Sequence, residues 1–171
     1  YEALGTKGWD SVQRTLNYIA EDIFTIADAK RGDIGNTSSL YAQAFFTEMN
    51  FHSITVAPYM GEDSVKPFLL KDKWVILLAH TSNPGSNDFQ TMELASGRTL
   101  YEEVIVRSQE WASPDQLMFV VGATHPEKMR HIRALAPEHF SLVPGIGAQG
   151  GDLDLVMEHG MNKQCGLLIN A

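Results

Sequence analysis

Short apolar segments recur along the chain and are separated by stretches with helical periodicity. Six of these segments are rich in Val, Ile, Leu and Phe and mostly lack an alternation of apolar and polar residues. That pattern is typical of strands buried on both faces of a parallel sheet. The predicted strands are residues 24–29, 53–57, 74–79, 118–122, 140–144 and 166–170.

The intervening stretches carry apolar residues at steps of three and four, which predicts amphipathic helices. The first pattern comprises Trp9, Val12, Leu16, Ile19 and Ile23; the others fall near residues 40–49, 65–69, 100–111, 126–136 and 153–160. Strands that alternate with helices indicate a parallel α/β sheet. A long polar segment, residues 81–99, follows the third strand and is expected to be a loop, and long loops are often functional.

The number of strands leaves two α/β architectures open. A (β/α)₈ TIM barrel needs eight strands and about 250 residues, whereas this chain of 171 residues provides six predicted strands. One interpretation is an open, doubly wound sheet. The other is a single (β/α) barrel domain over residues 1–171 that covers about strands 3–8 and lacks the first two strands and the last helix.

The composition argues against some classes of binding partner. A hydrophobic content of 44% and a charged content of 20% fit an ordinary globular protein, and the net charge of −8 argues against a broad nucleic-acid surface. The single cysteine, Cys165, suits a reducing compartment. The sequence has no run of about 18 apolar residues that would predict a membrane span. We therefore expect a cytoplasmic protein that binds neither nucleic acid nor membrane.

Charged residues follow the first predicted strand in the stretch IADAKRGDIGNT. Asp28 and Lys30 are two residues apart, so a strand would direct both side chains to one face, near its carboxyl end. Active sites of α/β folds lie at that end. A lysine and a carboxylate that point into an apolar interior would be expected to pair. A structural ion pair followed by a solvated turn acid, Asp33, is the alternative interpretation.

Two further segments at predicted strand ends are candidates for ligand binding. The stretch LVPGIGAQGGD passes from a strand through four glycines into a helix, and glycines let the backbone approach an anion closely. Simple tight turns are the alternative. Ser82 and Asn83 open the long loop, and taken alone they are interpreted as turn residues. The histidine and cysteine spacings predict no metal site.

Three of these segments together resemble the orotidine 5′-phosphate decarboxylase family, in its longer bacterial branch. IADAKRGDIGNT carries the Asp-x-Lys-x-x-Asp signature, TVAPYMGEDSVKPF resembles the segment after the next strand, and VPGIGAQGG resembles the phosphate loop. The resemblance covers essentially the whole chain. It implies a (β/α)₈ barrel that acts as a homodimer with shared active sites and without cofactor or metal.

The resemblance also implies roles for individual residues. Lys30 would be the catalytic proton donor and Asp28 its neighbour in the charge array. Asp33 would act in the partner subunit's site. The residues that would bind substrate are Ile34, Thr37, Ser82, Pro144, Gln149 and Gly150. An aspartate and a lysine of the family's charge array would precede Tyr1, and a phosphate-binding arginine would follow Ala171.

The implied reaction is decarboxylation of orotidine 5′-phosphate to uridine 5′-phosphate in de novo pyrimidine biosynthesis. One alternative is a Mg-dependent sugar-phosphate decarboxylase or aldolase of the same superfamily. Another is a fragment that binds a phosphate ligand without catalysis.

Overall fold

The computed structural model describes residues 1–124, 126–147 and 150–170. Six strands are present, at the predicted places and with ends shifted by two residues at most. They are β1 (Ile26–Arg31), β2 (Ser53–Val56), β3 (Trp74–His80), β4 (Leu117–Val121), β5 (Ser141–Pro144) and β6 (Leu167–Asn170). No helix in the described residues is long and apolar enough to cross a membrane.

The strands form one parallel, curved sheet in the order β1-β2-β3-β4-β5-β6. Each strand pairs with the next along the chain. A doubly wound sheet would reverse its strand order at a switch point, and this sheet does not. The architecture is therefore that of an open part of a (β/α) barrel. Within the described residues, β1 and β6 are its two edges.

Helices connect the strands on one side of the sheet. They are α1 (Thr6–Tyr18), α2 (Gly35–Ala42), α3 (Glu62–Val65), α4 (Leu100–Ser108), α5 (Pro126–Leu135) and α6 (Leu153–Gly160). A π-helical turn, Gln43–Glu48, continues α2, and short 3₁₀ turns occupy Glu2–Leu4, Lys66–Phe68 and Pro84–Asp88. Asp152 caps α6, since its Oδ1 accepts a hydrogen bond of 3.1 Å from the Leu155 amide.

The two faces of the sheet have different surroundings because side chains alternate along each strand. The outer face packs against the helices in one large core, which includes Phe45, Val75, Leu77, Phe119 and Ile132. The inner face carries a smaller cluster around Ile76, Met118 and Val120, with Ile26, Leu142 and Leu168 packed beside it. Residues two positions beyond Ile26 and Leu142 are Asp28 and Pro144, so both lie on the inner face.

Three details of the helix prediction are wrong. The first helix ends at Tyr18, and Ile23, which fits its periodicity, is 53% exposed. The helix predicted near residues 40–49 begins earlier, at Gly35. Trp111 lies beyond the end of α4, although it still packs against the outer core. In each case the spacing of apolar residues does not determine where the helix begins or ends.

Candidate active site

Lys30 and Asp28 form an ion pair at the carboxyl end of β1. The distance from Lys30 Nζ to Asp28 Oδ1 is 2.5 Å. Because the two residues are separated by one position on a strand, both side chains project from the inner face. The predicted pairing of these two side chains is therefore confirmed.

The expectation that this pair is buried is wrong for the chain described here. The side chains of Lys30 and Asp28 are 53% and 62% exposed. The physical reason is their position on β1, which is an edge strand and has no neighbouring strand on its outer flank among the described residues. Burial therefore does not force these charges together, and in water the pair alone contributes little to stability.

The backbone around this pair is irregular. Lys30 has a φ of +47°, in the left-handed region that residues other than glycine rarely adopt. The register between β1 and β2 shifts between Ala27 and Arg31. Within that stretch the Lys30 amide donates a hydrogen bond of 2.8 Å to the Thr55 hydroxyl on β2. The sequence analysis did not assign Thr55 a role. A polar residue within an apolar strand could have indicated one.

The other candidates from the first signature lie just beyond β1. Asp33 precedes α2, and its Oδ1 accepts a hydrogen bond of 2.8 Å from the Ile34 amide. Ile34 and Thr37 are exposed, with Ile34 at 58%. No contact between Asp33 and Lys30 appears among the described side chains. These three residues therefore form an accessible surface beside the ion pair.

Ser82 lies at the start of the loop that follows β3, pressed against the end of β4. A Cβ atom placed on Gly122 would lie 2.7 Å from the Ser82 amide nitrogen, so the close approach depends on glycine there. Gln90 holds the same loop: its Oε1 accepts from the Thr81 amide and its Nε2 donates to the Thr81 hydroxyl, both at 2.9 Å. Gly122 and Gln90 are positioning features that the sequence pattern did not reveal.

Hydrogen bonds join the described glycines of the segment after β5. Gly145, Gly147 and Gly150 have positive φ values. The Gly150 amide donates to the Gly147 carbonyl at 2.8 Å, and the Gly151 amide donates to the Gly145 carbonyl at 3.0 Å. These two amides are therefore paired with carbonyl groups of the same segment. Gly150 itself is exposed.

The remaining candidates of this segment are Pro144 and Gln149. Pro144 is the last residue of β5 and is half-buried on the inner face, and its carbonyl accepts a hydrogen bond of 3.0 Å from the Ala123 amide. Gln149 lies outside the described residues. Pro144 and Ser82 thus stand at the same carboxyl edge of the sheet as Lys30, because parallel strands end together.

A buried histidine is the last residue of β3. His80 is 1% exposed, and its Nε2 lies 3.2 Å from Lys128 Nζ. The Tyr101 ring packs edge-on against the His80 ring, with 4.8 Å between centroids. Burial, with the nearby Glu102 carboxylate as the next cause, raises the pKa of Tyr101 to about 12. In the part of the chain that the structure describes, no three His, Cys, Asp or Glu residues group as metal ligands.

Comparison with known proteins identifies the family. The family model described as "Orotidine 5'-phosphate decarboxylase / HUMPS family" matches residues 2–170. The chain belongs to the orotidine 5′-phosphate decarboxylase / HUMPS family. Its sequence is 59% identical to the orotidine 5′-phosphate decarboxylase of Bacteroides fragilis, over all of this chain and 64% of that protein. The chain thus spans less than two thirds of the length of this curated relative.

Solved structures of the family share this fold. The Leishmania donovani OMP decarboxylase superposes with a TM-score of 0.93 and 40% identity, over 99% of this chain and 67% of that one. The Leishmania donovani UMP synthase gives a TM-score of 0.95 and 42% identity, over 99% of this chain and 39% of that chain. Both the barrel-type fold and the resemblance noted in the sequence are confirmed.

Proposed function

We propose that the full-length protein decarboxylates orotidine 5′-phosphate to uridine 5′-phosphate, a step of de novo pyrimidine biosynthesis. The observation that carries this proposal is the Lys30–Asp28 pair, 2.5 Å apart at the carboxyl end of β1. An ammonium held by a carboxylate at the mouth of a barrel is suited to a reaction that develops negative charge on carbon. The names of the family relatives agree with this chemistry.

The proposed reaction breaks one carbon–carbon bond and forms one carbon–hydrogen bond. The bond between C6 and the substrate carboxylate breaks, CO₂ leaves, and the electron pair stays on C6 in the plane of the ring. The ring π system does not delocalise this pair, so the protein must stabilise it. Lys30 stabilises the negative charge with its ammonium, donates a proton to C6, and regains a proton from water.

One lysine supplies only part of the required stabilisation. Two unit charges about 4 Å apart interact by about 4 kcal/mol at an effective dielectric near 20. Enzymes lower barriers by roughly 8–23 kcal/mol. The remainder is assigned to preorganisation by Asp28 and Asp33, and to binding of the base and phosphate by Ser82, Pro144 and the glycine-rich segment after β5. Gln149 and Gly150 are proposed to lie near the phosphate.

The test is turnover by the full-length protein and its Lys30→Ala variant, followed by the loss of substrate absorbance. Lys66→Ala is a matched control, because Lys66 is also about half-exposed and its Nζ lies 2.7 Å from Glu62 Oε1. We expect Lys30→Ala to abolish turnover with the fold intact, and Lys66→Ala to retain it. A Lys30→Ala variant with a near-normal rate would remove Lys30 as proton donor.

We also propose that the protein is a homodimer in which Asp33, Ile34 and Thr37 serve the partner's active site. The exposed Ile34 and Thr37 on one surface beside the ion pair support this arrangement. Mixing Lys30→Ala and Asp33→Ala chains should restore partial activity, because one site of each hybrid dimer carries both groups. No recovery after demonstrated subunit exchange would contradict shared sites. A cytoplasmic location and coverage of barrel strands 3–8 stay predictions.

A further inference from the structure

We infer that Thr55 is a positioning residue that aims the Lys30–Asp28 pair through its hydroxyl. The inference rests on the proposed decarboxylase function, since it names the group that would hold the proton donor in place. Thr55 lies on β2 next to β1 and is fully buried, with 0% of its surface exposed. It therefore acts through its neighbours and not through contact with substrate.

The Thr55 hydroxyl contacts both members of the pair. Its Oγ1 accepts a hydrogen bond of 2.8 Å from the Lys30 amide and donates one of 3.1 Å to Asp28 Oδ1. A hydroxyl has one hydrogen and two lone pairs, so it can make both bonds at once. The Ala27 carbonyl, at 3.4 Å, is a more distant acceptor for the same hydrogen.

The same carboxylate oxygen receives the lysine ammonium. Asp28 Oδ1 lies 2.5 Å from Lys30 Nζ and 3.1 Å from Thr55 Oγ1. The Thr55 hydroxyl thus positions the Asp28 oxygen that binds the Lys30 ammonium. It also positions the Lys30 backbone, because it accepts a hydrogen bond from the Lys30 amide. The Lys30 amide is thus bonded to Thr55 directly and the ammonium is linked to it through Asp28, so loss of this hydroxyl should move the ammonium.

The Lys30 backbone needs such support. Its φ of +47° is unfavourable for a side-chain-bearing residue and persists only where the surroundings impose it. It falls within the stretch, between Ala27 and Arg31, where the β1–β2 register is irregular. The hydrogen bond from the Lys30 amide to Thr55 joins this residue to the next strand.

Ser53 provides a matched control on the same strand. It is also 0% exposed, and it lies two residues before Thr55, so both side chains lie on one face of β2. Its hydroxyl donates a hydrogen bond of 3.1 Å to the Thr25 carbonyl and does not contact Lys30 or Asp28. Removing it deletes a buried hydroxyl from the same strand and leaves the contacts of the ion pair unchanged.

The experiment compares Thr55→Val, Thr55→Ala, Thr55→Ser and Ser53→Ala in the full-length protein. We expect Thr55→Val to lower kcat roughly ten- to a hundredfold, the effect of losing a hydrogen bond to a charged group. KM should change little, since Thr55 is buried, and Thr55→Ser should recover most of the loss. Thr55→Ala decides the question if the valine variant does not fold. Wild-type kcat in Thr55→Val and Thr55→Ala would overturn the inference.

A second readout separates this inference from the proposed function. Amide hydrogen exchange at Lys30 should accelerate in Thr55→Val and stay unchanged in Ser53→Ala, whatever the protein catalyses. If the wild type does not decarboxylate the nucleotide but Lys30 exchange accelerates, the proposed function fails and the positioning contact stands. If Lys30 exchange is the same in all variants, the positioning inference fails regardless of activity.

Discussion

Gly122→Ala tests whether the end of β4 must lack a side chain for Ser82 to occupy its position. The new Cβ would lie 2.7 Å from the Ser82 amide nitrogen and 2.8 Å from its Cα and Cβ. Real Cβ atoms do not approach other atoms this closely. Because two of the three contacts are to backbone, the clash cannot be relieved by a side-chain rotation, and the loop after β3 must move.

The expected loss of stability follows from the contact between the new Cβ and the Ser82 backbone. Overpacking a filled interior destabilises proteins by about 1–3 kcal/mol. For a domain of roughly 150–250 residues, each kcal/mol lowers Tm by about 2–4 °C. If Ser82 contacts the pyrimidine as proposed, its displacement also weakens substrate positioning, and an error of about 1 Å can cost on the order of a hundredfold in rate. We therefore expect Gly122→Ala to lower both Tm and kcat/KM.

Gly85→Ala is the control, because it lies in the same loop. Its Cβ would lie 3.2 Å from Asn83 Nδ2 and 3.8 Å from Asp88 Oδ2, which are the movable ends of side chains. Thermal unfolding followed by circular dichroism, with steady-state kinetics on the full-length proteins, measures both effects. A Gly122→Ala protein that matches Gly85→Ala in Tm and in kcat/KM would refute the reasoning.

Three further predictions concern the same loop, a buried histidine and metal dependence. Gln90→Ala should raise KM and lower the free energy of unfolding by about 1–2 kcal/mol, since it removes two hydrogen bonds to Thr81; kinetics and urea unfolding measure this. Gln13→Ala is the control and should leave KM unchanged, because the Gln13 side chain bonds only to Asn17 among the hydrogen bonds described and lies on α1. Burial, with nearby Arg133 as the lesser cause, lowers the pKa of His139 from 6.5 to about 4. The unfolded state therefore binds the proton first, and stability should fall by about 3 kcal/mol as pH drops from 6.5 to 4. His139→Phe should flatten that part of the stability curve, and an unchanged slope would contradict it. Decarboxylation should survive a chelator, because the proposed steps use Lys30, and loss of activity would favour the Mg-dependent relatives.

The strands could be predicted because burial on both faces leaves a continuous apolar signature. All five residues of β4 are buried, and its prediction differs by one residue at each end. The pairing of Asp28 with Lys30 could be predicted for a similar reason, since strand geometry alone puts residues i and i+2 on one side. These features depend on local sequence and on one repeating geometry.

The features that could not be predicted depend on contacts between distant parts of the chain. Thr55 is 25 residues from the Lys30 amide that it holds, and Ser82 meets Gly122 across two neighbouring strands. No local periodicity encodes either contact. The Glu102 side chain is only 15% exposed, and its Oε1 lies 2.7 Å from His131 Nε2. That side chain lies between α4 and α5, and the helix pattern alone does not specify how two helices pack.

The exposure of the Lys30–Asp28 ion pair indicates that the proposed reaction needs water to be excluded from Lys30. Two unit charges 4 Å apart interact by about 1 kcal/mol in water and by about 4 kcal/mol at an effective dielectric near 20. In the proposed reaction, excluding water from between the Lys30 ammonium and the carbanion at C6 would therefore be worth about 3 kcal/mol, or roughly a hundredfold in rate. At 53% and 62% exposure, the side chains described here do not provide that exclusion. A bound substrate that covers these side chains would supply it. Phosphate binding far from the reacting carbon would then contribute to the rate by holding a ring that displaces water from the lysine.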